Sequence, residues 1–126
     1  MFRLDGSPVV IDWSTCAVGD FREDLCWTAL LAGTFMDESL KSTIYKSYIE
    51  ASQRRLSDIS FFEALAGFRR LADAAVAVMA GAEARGMRPD AIREIKRNRL
   101  HYVKVLRTIE DSTGVKLPEV VHVLGM

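Results

Sequence analysis

The sequence predicts a mainly α-helical domain that opens with a short β-hairpin. From about residue 20 onward, apolar side chains recur at steps of three and four, the spacing of one helix face. Asp, Ser, Pro and Gly stand at the ends of these stretches, where helices start and stop. The first residues follow another pattern: Phe2-Arg3-Leu4 alternates, Asp5-Gly6-Ser7-Pro8 is a turn cluster, and Val9-Val10-Ile11 is a β-branched run suited to a strand.

The elements follow in order. Residues 1–13 make the hairpin, whose second strand ends at Asp12. Asp20 with Glu23 fits a capping box, so a first helix runs from there to about Ala32, with Gly33 as its stop. A second spans roughly Asp37–Gln53 and places Leu40, Ile44, Tyr48 and Ala51 on one face. Ser57, Asp58 and Ser60 announce a third, with Phe61, Leu65, Phe68, Ala72, Ala75 and Met79 as its apolar stripe and an end near Arg85, before Gly86. Its many alanines invite close approach of a neighbour. Pro89 suits the start of a fourth helix, whose stripe is Ile92, Ile95, Tyr102, Val103, Leu106 and Ile109, closed by Gly114. Residues 20–115 thus hold about four helices, and the tail 116–126 is open to either strand or short helix. A two-stranded hairpin is marginal alone, so it is expected to be pinned on the helices or paired with something outside the chain.

At 126 residues and 14.1 kDa the chain is one domain, residues 1–126. Seventeen basic residues balance 17 acidic ones, which excludes a general nucleic-acid or membrane-surface binder. Hydrophobic residues at 49% supply a core. The longest nearly apolar run, Leu71–Ala82, is too short to span a bilayer and contains Asp73. Met1-Phe2-Arg3-Leu4-Asp5 lacks the pattern of a secretory signal. Two cysteines without a Cys-x-x-Cys provide neither a disulfide framework nor a zinc site, and a cytoplasmic location is expected.

The charge is uneven. Residues 1–40 carry two arginines against seven carboxylates, whereas residues 93–107 carry six basic residues against Glu94 alone. Arg93, Arg97, Lys104 and Arg107 would share a broad face of the fourth helix, open to two readings: a solvated face or a seat for an anionic partner. His101 and His122 have no partner at metal-ligand spacing and read as packing or surface residues. Cys16 falls in a loop and Cys26 inside the first helix, where burial is expected; Trp13 and Trp27 read as core anchors.

The stretch Val9–Leu25 carries the chemistry. A carboxylate, Asp12, stands at a strand end; a loop with Gly19 follows; a helix then opens with Asp20 and Asp24 one turn apart. A carboxylate so held suits Mg²⁺, and the same residues equally suit turn and helix capping.

The run Val-Ile-Asp-Trp, five residues, Gly-Asp, three residues, Asp-Leu resembles the C-terminal signature of the aminoglycoside phosphotransferase and choline kinase-like family, relatives of the protein kinases. The resemblance implies that Asp12 is a Mg²⁺ ligand on the ATP phosphates, as the Asp of the kinase Asp-Phe-Gly turn is. It implies that Trp13, Gly19, Asp20 and Asp24 support that site, and that the helices resemble the family's C-terminal subdomain, which shapes the acceptor pocket. The chain departs from the pattern at Phe21, where the family usually has Pro, at Cys26, where Ala is common, and at Ser14, where an acidic residue is frequent. The family's His-Gly-Asp catalytic loop and its nucleotide lobe would precede the hairpin, and this sequence begins at the hairpin. Met1 is therefore expected to be an internal methionine of a longer frame, or the start of a gene remnant. The isolated chain is expected to be inactive and to bind neither Mg²⁺ nor ATP tightly. The acidic residues lie mainly in the head, which does not support an aminoglycoside as acceptor. The alternative is a non-catalytic helical interaction module, forming a homodimer or meeting a missing lobe through the hairpin face.

Overall fold

Asp20 starts the first helix. Its backbone is extended, and its carboxylate accepts a hydrogen bond from the amide of Arg22 at 2.9 Å. The structure, a computed structural model, describes residues 3–9, 18–83 and 86–126, and among these it contains six helices. They are α1 (Phe21–Phe35), α2 (Glu38–Ser52), α3 (Ile59–Ala80), α4 (Ala91–Arg97), α5 (Arg99–Thr113) and α6 (Pro118–Leu124).

α1 continues through Gly33 rather than ending there. Gly33 is buried where α2 crosses, and a methyl group on it would stand 3.5 Å from Lys41 Cβ. A glycine read as a stop signal is therefore a contact point. α2 matches its expected bounds within a residue: Asp37 caps it by accepting from the Ser39 amide at 2.8 Å, and Gln53 closes it at φ 55°. It packs mainly on α1, half-burying Leu40, Ile44 and Tyr48. Phe21, where the resembled family has Pro, stacks on Tyr48 with centroids 5.3 Å apart and fastens the two helices.

α3 is the hub, touching α1, α4, α5 and α6. Its buried face is Phe62, Ala66, Gly67, Leu71, Ala74 and Ala77. The expected stripe is mostly the opposite face: Phe61, Leu65, Phe68, Ala72 and Met79 are exposed. α3 is apolar nearly all round, so periodicity alone selects the larger side chains, whereas close packing on α5 selects the smaller ones. The helix ends at Ala80, with Gly81 at φ 89°, earlier than Gly86 suggested.

The expected fourth helix is two. Asn98 interrupts it: its side-chain amide and its backbone N–H both donate to the carbonyl of Glu94, at 2.9 and 3.0 Å. The buried positions Ile95, Tyr102, Leu106 and Ile109 follow the expected stripe, and His101 and Val105 join them. The tail is helical: Pro118 opens α6, which packs on α3 and buries Leu124.

The N-terminal hairpin is not borne out. Residues 3–9 form a turn, with the Arg3 amide donating to Ser7 O at 2.9 Å and the Asp5 carboxylate accepting from the Ser7 amide and hydroxyl. Gly6 takes φ 80° there, so the turn chemistry was legible. No strand is found among the described residues. Leu4 is fully exposed, and Pro8, which has no N–H to give a ladder, makes only an isolated bridge, so the pairing does not extend into a strand among the described residues. Residues 1–2 and 10–13, the rest of the expected hairpin, lie outside the described residues, and so does the hairpin face offered as an interface.

Gly67 generates the first prediction. A Cβ built there would lie 2.7 Å from Ile109 Cγ1 and 3.1 Å from its Cδ1, with Ile109 fully buried. Gly67→Ala gains helix propensity of up to about 1 kcal/mol but overpacks the contact by about 1–3 kcal/mol. Urea unfolding is expected to show a net loss of about 1 kcal/mol. Adding Ile109→Ala should make the pair less costly than the two single losses summed.

Candidate functional site

The residues of the signature are placed unequally. Asp12, Trp13 and Cys16 lie outside the described residues. Gly19 is exposed, and Asp24 is exposed in the first turn of α1, where its charge complements the helix N-terminus. Asp20 is committed structurally. Beyond capping α1, it accepts from Arg22 Nε at 3.0 Å and Nη2 at 2.7 Å. The Arg22 guanidinium holds the Asp20 carboxyl down at about 2. Arg22 also donates to Ser57 O at 2.9 Å, reaches Asp58 at 3.3 Å and lies 4.3 Å over the Phe62 ring. This fork ties the start of α1 to the start of α3.

Two polar clusters that sequence reasoning missed join the helices. In the first, Tyr45 of α2 donates to Glu63 of α3 at 2.8 Å, and Lys41 pairs with the same carboxylate oxygen at 2.8 Å. Tyr45 also approaches Sγ of Cys26, which is fully buried as expected; burial pushes the thiol pKa up. In the second, Arg70 Nε donates to His101 Nε2 at 2.9 Å. Arginine only donates, so Nε2 is the bare nitrogen and Nδ1 carries the proton. Nδ1 then donates to Thr34 Oγ1 at 2.8 Å, and that hydroxyl donates to Leu30 O at 2.6 Å. Phe35 stacks on the imidazole with centroids 3.7 Å apart. Burial first, then the Arg70 and Lys104 charges, lower the His101 pKa to about 4. A histidine on an otherwise apolar face was the signal available in the sequence.

The expected basic face is divided. Arg93 and Arg97 lie on α4 and make only loose surface pairs, with Asp90 at 3.7 Å and Glu94 at 3.8 Å. Lys104 and Arg107 lie on α5, where they line a cleft of about 350 Å³ between α1, α2 and α5. Lys41 lines it from α2. His122 is exposed, and Trp27 packs half-buried against the core beneath Arg69.

Among the described residues, no group of three or more His, Cys, Asp or Glu side chains is arranged to hold a metal ion. No described helix is long and apolar enough to cross a membrane. Comparison of the chain with protein-family models, with curated proteins and with solved structures finds no match.

The His101 cluster generates a pH prediction. A folded pKa near 4 against an ordinary 6.5 means that protons bind the unfolded chain more tightly. Stability from this group is complete above about pH 6.5, falls as pH drops below it, and levels off near pH 4, with up to ~3 kcal/mol at stake. Urea midpoints from pH 7.5 to 5, where carboxylates stay ionised, should fall in the parent and stay flatter in His101→Gln. An equal slope in both would contradict the assignment.

Proposed function

We propose that this chain is the helical C-terminal part of an ATP-dependent phosphotransferase acting on a small hydroxyl-bearing molecule, similar to the aminoglycoside phosphotransferase and choline kinase-like family. The carrying observation is the run from Val9 to Leu25, with Gly19-Asp20 standing immediately before α1 and Asp24 in its first turn. In that reading Asp12 is the Mg²⁺ ligand, Asp20 fixes the start of α1 through Arg22, and the helices form the acceptor side. The described residues do not themselves fit Mg²⁺: the Asp20 carboxylate is taken by Arg22, and no cluster of carboxylates stands beside it. Nor do they bring a base, a lysine and a nucleotide cleft together, and phosphoryl transfer rests on such positioning and charge stabilisation. The 126 residues alone are inactive in this reading.

Its test is the intact mass, in the source cells, of the polypeptide that carries α1–α6. A product two to three times 14.1 kDa, with a His-Gly-Asp loop upstream and a melting temperature raised by Mg·ATP, is expected. Asp12→Ala in that polypeptide should remove the shift. A sole product of 14.1 kDa sinks the reading.

A second reading, a non-catalytic module that pairs with a second copy of itself, is favoured by the outer face of α3. Phe61 (62% exposed), Leu65, Phe68, Ala72, Val76 and Met79 (74% exposed) run along about 27 Å of helix. Arg69 is the charged residue beside them. Phe61, Leu65 and Phe68 lie in the N-terminal half; Ala72, Ala75 and Val76 lie in the C-terminal half, which Met79 closes, with position 70 at the centre. An antiparallel pair related by a two-fold axis would set Phe68 against Ala72, Leu65 against Ala75 and Phe61 against Met79 of the other copy. A parallel pair would set large against large. The stripe offers on the order of 500 Å² of apolar surface per copy, against the ~800 Å² per partner of a standard-sized interface. Sedimentation at a few hundred micromolar should give a dimer, and Phe61→Glu with Met79→Glu a folded monomer. A monomeric parent protein rejects this second reading.

A further inference from the structure

We infer that the cleft between α3, α4 and α5 binds a small monocarboxylate with an apolar body, held by the Arg70 guanidinium and the Tyr102 hydroxyl. The site does not involve Asp12 and is independent of the phosphotransferase reading. Arg70 lines the cleft from α3 and is half-buried. Its Nε is spent on His101 at 2.9 Å, and its Cζ lies 5.1 Å from the Tyr102 ring centre and 5.7 Å from that of Phe35. The guanidinium is thus fixed before a ligand arrives, which lowers the entropy cost of binding. Its two Nη groups donate no hydrogen bond among the described residues, and no carboxylate pairs with it there. They form the free edge of the fork, the geometry that grips a carboxylate through two parallel hydrogen bonds.

Tyr102 supplies the second contact. It is 3% exposed, yet its hydroxyl has no hydrogen-bond partner among the described residues. No described side-chain oxygen sealed from solvent lacks a partner, so this hydroxyl opens on the cleft that Tyr102 lines. A nearly buried, unpaired hydroxyl is a group that a ligand can satisfy. Burial raises its pKa against the opposing Arg70 charge, so the phenol keeps its proton and donates.

The rest of the lining defines the ligand. Arg70, Arg88 and Glu94 are the charged residues of the described lining. Arg88 reaches Asp90 at 3.6 Å and Glu94 reaches Arg97 at 3.8 Å, which leaves Arg70 as the uncompensated charge. One cation matches one negative charge, and Glu94 opposes a second. Asn98 spends its side-chain amide on the Glu94 carbonyl. Ala74, Met87, Ala91 and Ile95 make the apolar walls of a cavity of about 170 Å³. An apolar cavity of about 150 Å³ takes a benzene ring. The ligand class is therefore a carboxylate on one ring or a short chain, not a nucleotide or a sugar phosphate.

The test is titration of the whole chain with sodium benzoate, read by calorimetry and by amide shifts, with thermal unfolding alongside. Saturable binding at millimolar concentration or below is expected, with the largest shifts at Ala74, Ala91 and Tyr102 and a raised melting temperature. Tyr102→Phe removes the hydroxyl alone and should weaken binding about threefold to tenfold; the fold is kept because that hydroxyl has no partner to lose. Arg70→Gln should weaken binding about tenfold or more. It also loses the His101 bond, so Tyr102→Phe decides the matter if Arg70→Gln unfolds. Arg93→Gln takes a charge from α4 outside the lining and should leave affinity unchanged. Benzyl alcohol, the same ring without the charge, should bind about tenfold more weakly or worse. No saturable binding of benzoate overturns the proposal, and so does an unchanged affinity in Tyr102→Phe. Equal binding of benzyl alcohol overturns it as apolar filling only. Equal weakening by Arg93→Gln, or tighter binding of inorganic phosphate than of benzoate, overturns it as attraction to bulk charge.

Discussion

Gly67 lies against Ile109 with no room for a methyl group, and the arrangement of α3 follows from that contact. For α5 to lie this close, α3 must present small residues inward, and Ala66, Gly67, Ala74 and Ala77 do so. Leu71 and Phe62 fill the spaces to either side. α1 and α6 then find their seats on the flanks of α3, and α2 reaches the assembly chiefly through α1 and the Glu63 cluster. The close contact also determines what remains outside. An α3 that is apolar nearly all round and turns its small residues inward has to turn Phe61, Leu65 and Phe68 outward.

Hydrophobic packing at so tight a contact is directional only through shape, and the polar clusters add registration. Arg70, His101 and Thr34 come from α3, α5 and α1, and each has a hydrogen-bond role that the neighbouring residue fills. Removing one leaves a buried polar atom unsatisfied, a loss of about 1–3 kcal/mol that a slipped register would also incur. Lys41, Tyr45 and Glu63 do the same between α2 and α3. No buried side-chain nitrogen or oxygen is left without a partner among the described residues.

Local signals were therefore legible and tertiary ones were not. Asp20 and Asp37 cap where their side-chain chemistry predicts, because capping is settled within three residues. The α5 stripe was legible because that helix has a polar face to contrast with it. On α3 the contrast is missing, and which apolar face turns inward depends on a partner 40 residues away. Gly33 misled for the same reason: its contact with Lys41 belongs to the packing of α2, not to the local chain. The hairpin misled because turn residues and β-branched residues announce strands only where there is a sheet or a covering helix to receive them. Of the candidate site, the opening of α1 was legible and the pairing of Asp20 with Arg22 was not, since proline-like or acidic neighbours would have suited a cap equally well.

The break at Asn98 connects the charge pattern to the chemistry. One continuous helix would have spread Arg93, Arg97, Lys104 and Arg107 along a single surface, a diffuse field screened by salt. The kink leaves the first two on exposed α4 and sets the last two beside α1 and α2, where walls on three sides reduce screening. α1 then separates two different environments. Its N-terminal end holds Asp20 in the Arg22 fork, and Gly33 lies 13 residues on, about 20 Å along the axis. That distance is too great for one small molecule to bridge. The Arg22 fork and the cleft beside Gly33 are therefore separate places on one helix.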